Sequence, residues 1–185
     1  MISKPDQREH GRARWLVESI ALVILALALA LVFRATVASA FEIPTPSMSP
    51  TIMVHDRVIA ERISVHFSDP KPGDIVVFDD PLGGHVPLIK RVIAVSGQTV
   101  DVHDGSVWVN GARLNEPYTH GLPTEVGSLP LPCAIPNGRI WVMGDNRTNS
   151  LDSRYFGPVD VATVQARAVA LYWPVSRLAD LTDGD

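Results

Sequence analysis

Residues 100–114, "VDVHDGSVWVNGARL", contain two turn signals, each flanked by short alternating apolar stretches. The signals are Asp104-Gly105 and Asn110-Gly111. Such dipeptides favour two-residue hairpin loops, because both central positions of the tight turn need a positive φ. The stretch therefore predicts two successive β-hairpins, and it favours an antiparallel β fold.

The chain after residue 40 continues this pattern of short apolar, β-branched strings separated by Pro, Gly, Asn and Asp. We predict a mainly β fold, an antiparallel sheet or barrel-like domain over residues 35–185. Residues 115–138 contain five prolines and predict a small irregular excursion. The candidate strands are 57–60, 74–78, 88–95, 99–102, 107–109, 139–143 and 166–173.

The N-terminal segment is apolar over 19 residues, from Trp15 to Phe33. A helix of that length reaches about 28 Å, close to the thickness of a bilayer's hydrocarbon core. The sequence therefore predicts a transmembrane anchor over 15–34. Basic residues precede it, which predicts a cytoplasmic tail over 1–14 and an extracytoplasmic domain over 35–185. These basic residues are Lys4, Arg8, Arg12 and Arg14.

A cleavable secretory signal is an alternative interpretation of the same segment. The uninterrupted apolar run from Ile20 to Phe33 has 14 residues, and Ala38-Ser39-Ala40 resembles a cleavage site. The anchor is favoured because the longer run through Trp15 spans a bilayer.

Composition excludes some classes of function. The net charge is −4 and no basic run follows the N-terminus, so the electrostatic signature of a nucleic-acid-binding protein is absent. The single cysteine, Cys133, permits no internal disulfide and no zinc site built on paired cysteines. No histidine lies at metal-ligand spacing, so no metal is predicted.

Residues 43–51, "IPTPSMSPT", place two serines among three prolines. Proline fixes φ and pushes the preceding residue toward extended geometry. The stretch therefore predicts a stiff, extended backbone that presents Ser47 and Ser49. Taken alone, such a segment is usually a linker.

Lys90 is one of only three lysines and lies within the apolar string "PLIKRVIAV". Strand alternation places it on the same face as Leu88, Val92 and Ala94. Burial among aliphatic side chains lowers the pKa of an amine, and a neutral lysine is a competent base for a serine hydroxyl. A lysine on an edge strand that reaches water is the alternative, and His85 is a weaker rival base.

A polar stretch, "MGDNRTNSLDSRYFG" over 143–157, follows the apolar strand "RIWV". If this stretch is extended, Asp152 and Arg154 lie on one face with Ser150 and can form an ion pair. Taken alone, it is typical of a polar surface loop.

Together and in this order, these blocks resemble the type I signal peptidases of bacteria. "IPTPSMSPT" is similar to the family's nucleophile box, "KPGDIVVF" to its following strand, "LIKRVIAVSGQ" to its lysine box and "GDNRTNSLDSR" to its C-terminal box. Pro46 stands where the family usually has glycine, and Ala94, Ser96 and Gln98 also depart from the usual pattern. These departures change turn chemistry and leave the reacting groups in place.

The resemblance implies roles for nine residues. Ser47 is the nucleophile and Lys90 the general base. Thr45 and the main-chain amide of Ser47 form the oxyanion hole. The remaining roles are support of the lysine and its loop by Ser150, Asp152 and Arg154, and substrate binding by Ile43, Met48 and Ile89.

The resemblance also implies a function and a location. The expected function is a membrane-bound serine endopeptidase that removes signal peptides from exported preproteins without metal or cofactor. The expected location is the bacterial cytoplasmic membrane, as a single-pass monomer. Trp108, Trp141 and Trp173 suggest an additional surface that dips into the bilayer.

Two other classes remain open on the sequence. One is a self-cleaving regulator that uses the same serine and lysine on a related β fold. The other is a non-catalytic, membrane-tethered β-rich module that binds peptides or wall material. Turnover of an added signal peptide distinguishes the predicted enzyme from both.

Overall fold

The computed structural model describes residues 7–36 and 38–182, with side chains over 14–30 and 38–182. The chain forms two compact units, Met1–Val37 and Ala38–Asp185. Residues 1–6 of the predicted cytoplasmic tail lie outside the described residues.

The described residues of the first unit form a helix, α1, from Gln7 to Thr36. The predicted anchor, 15–34, lies within it. Its large apolar side chains between Trp15 and Leu29 are exposed. Among the helices of the described ranges, none combines the length with the apolar content that crossing a bilayer requires.

The second unit is mainly antiparallel β, which confirms the predicted fold class. Its strands in chain order are β1 (Ala38–Glu42), β2 (Arg57–Glu61), β3 (Ile75–Phe78), β4 (Leu88–Val95), β5 (Thr99–His103), β6 (Ser106–Val109), β7 (Ala112–Arg113), β8 (Cys133–Ala134), β9 (Arg139–Met143), β10 (Val159–Asp160), β11 (Val164–Trp173) and β12 (Ala179–Asp180). One short helix, α2, covers Ser153–Phe156.

The strands form two sheets. The larger sheet is a half-barrel in the order β1-β2-β11-β3-β4-β9-β10, with β12 paired to β11. The smaller sheet has the order β7-β6-β5-β8. A buried cluster joins them, because Val100, Val102 and Val107 of the smaller sheet pack with Trp141 and Met143 of the larger.

Both predicted hairpins are present in the smaller sheet. Asp104 and Gly105 have φ of 52° and 69° between β5 and β6, and Asn110 and Gly111 have φ of 51° and 77° between β6 and β7. Positive φ at both central residues is the geometry of the tight turn that these dipeptides favour.

The predicted excursion, residues 115–138, contains a 3-10 turn at Pro117–Thr119 and strand β8, which pairs with β5. The remainder of that segment is irregular. Its Glu116 carboxylate and Glu125 carbonyl accept hydrogen bonds from Arg147 and Arg154 in the segment that follows β9.

Two expectations about side-chain direction are wrong. A bulge between Val92 and Ala94 breaks the alternation of β4, so Val92 and Ala94 lie in different buried clusters. Trp141 has no exposed surface because it fills the core between the two sheets, so it does not contribute to a membrane-facing surface.

Candidate active site

Ser47 lies in a 3-10 turn formed by Pro46–Met48, and not in the extended backbone that the prolines predict. Thr45 is extended, with φ −127° and ψ 152°, and the turn begins directly after it. Pro46 suits the first position of such a turn, since its fixed φ is already helical and its missing N–H is not needed there. The turn leaves Ser47 only 7% exposed.

Lys90 projects from β4 to the same point. Its Nζ donates to Ser47 Oγ at 2.8 Å and to the Ile89 carbonyl oxygen at 2.9 Å. Lys90 is 3% exposed. Burial lowers the pKa of Lys90 to about 8, although the carboxylates of Asp152 and others oppose that shift. The structure thus joins a serine hydroxyl and an amine with a reduced proton affinity across 43 positions of sequence.

Lys90 lines a cavity of about 300 Å³. Thr45 lines this cavity, and its Oγ1 lies 3.4 Å from Ser47 Oγ. Ile89 forms part of the wall, and Asp80 and His85 line the same space. His85 is exposed, and Lys90 is the group that contacts Ser47.

Two of the three predicted substrate-binding residues lie deeper. Ile43 is 2% exposed and Met48 is fully buried, and both belong to the core cluster of the larger sheet. Ile89, at 7% exposed, belongs to the same cluster and also reaches the cavity. The aliphatic core therefore continues up to the wall of the site.

The loop after β9 holds the main chain of the serine turn. Asn146 donates its backbone N–H to the Ser47 carbonyl at 3.1 Å and its Nδ2 to the Pro46 carbonyl at 3.1 Å. Gly144 lies against the turn so closely that a methyl group on its Cα would overlap the Ser47 carbonyl oxygen and Ser150 Oγ. The position of Ser47 is therefore fixed from a segment about a hundred residues away.

A buried ion pair anchors this loop to the lysine strand. Arg91, next to Lys90, donates from Nε and Nη2 to the two carboxylate oxygens of Asp145 at 2.9 and 2.8 Å. Asp145 Oδ2 also accepts from Thr51 Oγ1 at 2.6 Å. The pair has 3% and 0% side-chain exposure, so solvent screens it little.

The predicted ion pair between Asp152 and Arg154 is present and buried, with contacts of 2.8 and 2.9 Å. The segment is not extended as expected, since Asp152 caps the start of α2 and accepts the Arg154 backbone N–H. Ser150 Oγ is buried and has no hydrogen-bond partner among the described residues, so it does not contact Lys90 in this arrangement.

The sequence also matches a family model, described as signal peptidase, peptidase S26, over residues 16–173. The chain belongs to the signal peptidase family. This membership confirms the resemblance carried by the four motifs, and it makes the chain a hydrolase of the serine endopeptidase class.

Relatives of this signal peptidase share most of its length. A signal peptidase I of Leptolyngbya laminosa is 42% identical over 173 residues, covering 90% of this chain and 84% of the relative. A signal peptidase I of Mycobacterium tuberculosis (strain H37Rv) is 34% identical and covers 95% of this chain and 78% of the relative. A solved signal peptidase I from Enterococcus faecalis is 32% identical, covering 54% of this chain and 97% of that one with a TM-score of 0.48.

Several side chains at the site of this signal peptidase were not anticipated from its sequence. Asp145 and Asn146 belong to a stretch that was interpreted only through Ser150, Asp152 and Arg154. The sequence signal for these two residues is the polar "GDN" directly after an apolar strand. Polar groups that close to the core need hydrogen-bond partners.

Proposed function

We propose that the chain removes signal peptides from exported preproteins with Ser47 as nucleophile and Lys90 as general base. The observation that carries the proposal is the 2.8 Å contact between a buried amine and a serine hydroxyl beside a cavity. A nucleophile within hydrogen-bonding reach of a base is the geometry that covalent catalysis needs. Neutral Lys90 can accept the Ser47 hydroxyl proton at this distance.

The reaction then proceeds in two steps. Ser47 Oγ attacks the carbonyl carbon of the small residue that precedes the scissile bond, while its proton passes to Lys90 Nζ. The resulting ammonium protonates the leaving amine as the peptide bond breaks, which leaves an acyl-enzyme. Water attacks the ester, Lys90 takes the water's proton, and the proton returns to Ser47 as the new carboxyl-terminated fragment leaves.

Other residues support these steps in the proposal. Thr45 Oγ1, close to Ser47 Oγ, and the Ser47 amide supply donors to the developing oxyanion. Ile89 binds the small substrate side chains at the cavity wall, and Ile43 and Met48 support it from the core cluster that the three residues share. Ser150, Asp152 and Arg154 position the lysine and its loop. The buried Ser150 hydroxyl has no partner among the described residues, so it is available to the Lys90 amine.

The pH dependence of cleavage provides a test of the base. Because Lys90 must be neutral and the pKa of its amine is about 8, we expect kcat/KM to rise through pH 8. At pH 6 the rate should be about 100-fold below its alkaline plateau. The measurement is peptide cleavage between pH 6 and 10. A rate that stays constant between pH 6 and pH 10 would contradict Lys90 as the base.

Asp80→Asn serves as the electrostatic control for that profile. The Asp80 carboxylate raises the pKa of Lys90, against the larger effect of burial. Its removal should shift the acid limb to lower pH, so the variant is more active than wild type at pH 7 and equal to it at pH 10. An unchanged limb would contradict the assignment of Lys90.

Attachment to a bilayer, with the N-terminus in the cytoplasm and the domain from residue 38 outside, is part of the proposal. Its support is the row of exposed apolar side chains on α1 between Trp15 and Leu29. We expect the full chain, expressed in a bacterium, to remain in the membrane pellet after alkaline carbonate extraction. Release into the supernatant would contradict attachment through α1.

The function itself is tested with the full chain in detergent and a peptide that carries an Ala-X-Ala cleavage site. We expect multiple turnovers per enzyme and one cut, after the second alanine, by a monomer. A self-cleaving regulator would process only its own chain. A binding module would retain the peptide without cutting it, and either outcome would refute the proposal.

A further inference from the structure

The irregular segment between β7 and β8 contributes Glu116 to a third buried ion pair, with Arg147. Arg147 Nη2 and Nη1 donate to the Glu116 carboxylate at 2.5 and 3.0 Å. The Arg147 side chain has no exposed surface and that of Glu116 has 9%. Arg147 also donates to Thr124 Oγ1 at 2.9 Å. Residues 116–124, which we call the strap, therefore contact this guanidinium through their first residue, Glu116, and their last, Thr124.

Arg147 connects the strap to the loop that holds Ser47. Its Nε donates to the Gly144 carbonyl at 3.0 Å, and its backbone N–H donates to the Asp145 carbonyl at 3.0 Å. Gly144 touches the Ser47 carbonyl, and Asn146 donates to that same oxygen. An unbroken series of contacts thus runs from Glu116 to the backbone of the nucleophile.

Tyr118 links the strap to the ion pair of Arg91 and Asp145. Its ring lies 4.0 Å from the guanidinium carbon of Arg91 and 5.8 Å from that of Arg147. Its hydroxyl donates to Glu116 Oε1 at 3.1 Å. The guanidinium groups of Arg91 and Arg147 therefore both lie against the Tyr118 ring, and both donate hydrogen bonds to the loop of residues 144–146.

We propose that the strap positions the nucleophile, with Glu116 as a positioning residue that acts on Ser47 through Arg147 and residues 144–146. A buried arginine that loses its carboxylate partner keeps an unpaired positive charge. Its guanidinium also loses a fixed orientation, since the two hydrogen bonds to the carboxylate hold it in one plane. A shift of about 1 Å in a reacting group can lower the rate about 100-fold. The segment that looks like a surface excursion is then part of the catalytic framework. This inference rests on the proposed role of Ser47.

The test compares Glu116→Gln with Glu125→Gln in the full chain. The control removes the same charge from the same excursion, where Glu125 contributes only its backbone carbonyl, to Arg154. We expect Glu116→Gln to lower kcat for peptide cleavage about 10-fold to 100-fold with KM unchanged. Glu125→Gln should match wild type. The folded fraction is measured by circular dichroism at the assay temperature.

Tyr118→Phe keeps the test decisive if Glu116→Gln does not fold. This variant removes only the hydroxyl that donates to Glu116 and keeps the ring between the two arginines. We expect a loss of about 2-fold to 5-fold in kcat with no change in KM. A structural role alone would change the melting temperature and leave the kcat of folded enzyme intact.

The outcomes separate this inference from the proposed function. If Ser47→Ala retains activity, the proposed nucleophile is wrong. If Ser47→Ala is inactive while folded Glu116→Gln and Tyr118→Phe keep the wild-type kcat, only the strap is refuted. Equal losses in Glu116→Gln and Glu125→Gln would also refute it, because a general charge effect would then explain both.

Discussion

Replacement of Lys90 by methionine should lower kcat/KM for signal-peptide cleavage by about 10⁴-fold or more, and it should stabilise the fold. The loss follows because Lys90 is the base for both proposed steps. The gain follows because burial disfavours the ammonium form, which lowers its pKa from 10.5 to about 8. That shift corresponds to about 3 kcal/mol, an upper limit on the stabilisation at pH 7.

The sign of the stability effect depends on pH. Between pH 8 and 10.5 the unfolded wild-type chain binds more protons at Lys90 than the folded chain does. The free energy of unfolding of wild type therefore rises with pH across that window. The advantage of Lys90→Met should be full below pH 8 and should shrink as the pH approaches 10.5. Urea unfolding at pH 7 and pH 10 measures both values.

Lys71→Met is the matched control, since Lys71 is exposed on a turn. It should change neither cleavage nor the free energy of unfolding beyond about 0.5 kcal/mol. Ser47→Ala should be as inactive as Lys90→Met, because residues of one catalytic unit do not contribute additively. A Lys90→Met variant that still cleaves peptide, or that loses stability at pH 7, would contradict the assignment.

Asp145→Leu should destabilise the β-rich unit that begins at Ala38 by about 3–5 kcal/mol. It leaves the guanidinium of Arg91, with 3% side-chain exposure, without its carboxylate, and it removes the acceptor of Thr51. The measurement is equilibrium unfolding in urea at pH 7. Arg91→Met should cost a similar amount, because Asp145 is then the unpaired buried charge.

The double variant Arg91→Met with Asp145→Leu distinguishes lost pairing from lost packing. Replacing both members of a buried pair by apolar groups is often close to neutral, so the double variant should be more stable than either single one. Arg57→Met, which breaks the exposed pair with Glu42, should cost at most about 1 kcal/mol. Additive losses in the double variant would refute the explanation by an unpaired charge.

The sequence predicted those features that depend on neighbours along the chain. The two hairpins follow from Asp104-Gly105 and Asn110-Gly111, whose positive φ is a local property. The burial of Lys90 and its lowered pKa follow from the apolar strand around it. The predicted strand segments overlap β2, β3, β4, β5, β6, β9 and β11.

Other features depend on contacts between distant segments. The prolines around Ser47 predict an extended chain, whereas Pro46 begins a 3-10 turn that Asn146 holds from 100 positions away. The partner of Arg147 is Glu116, 31 positions earlier in a stretch that looks like an irregular loop. The sequence does not predict strand β1, because "ASAFE" has no β-branched residue, and the strand forms by pairing with β2.

The close approach of Gly144 to the Ser47 carbonyl has a consequence for drug resistance. Any side chain at that position collides with the backbone carbonyl of Ser47. A substitution that prevents an inhibitor from binding there is therefore expected to abolish catalysis as well. Asn149, a few positions on, is exposed and has room for other side chains. A compound that gains its affinity from the main chain at Gly144 and Ser47 therefore contacts a position where the fold tolerates only glycine.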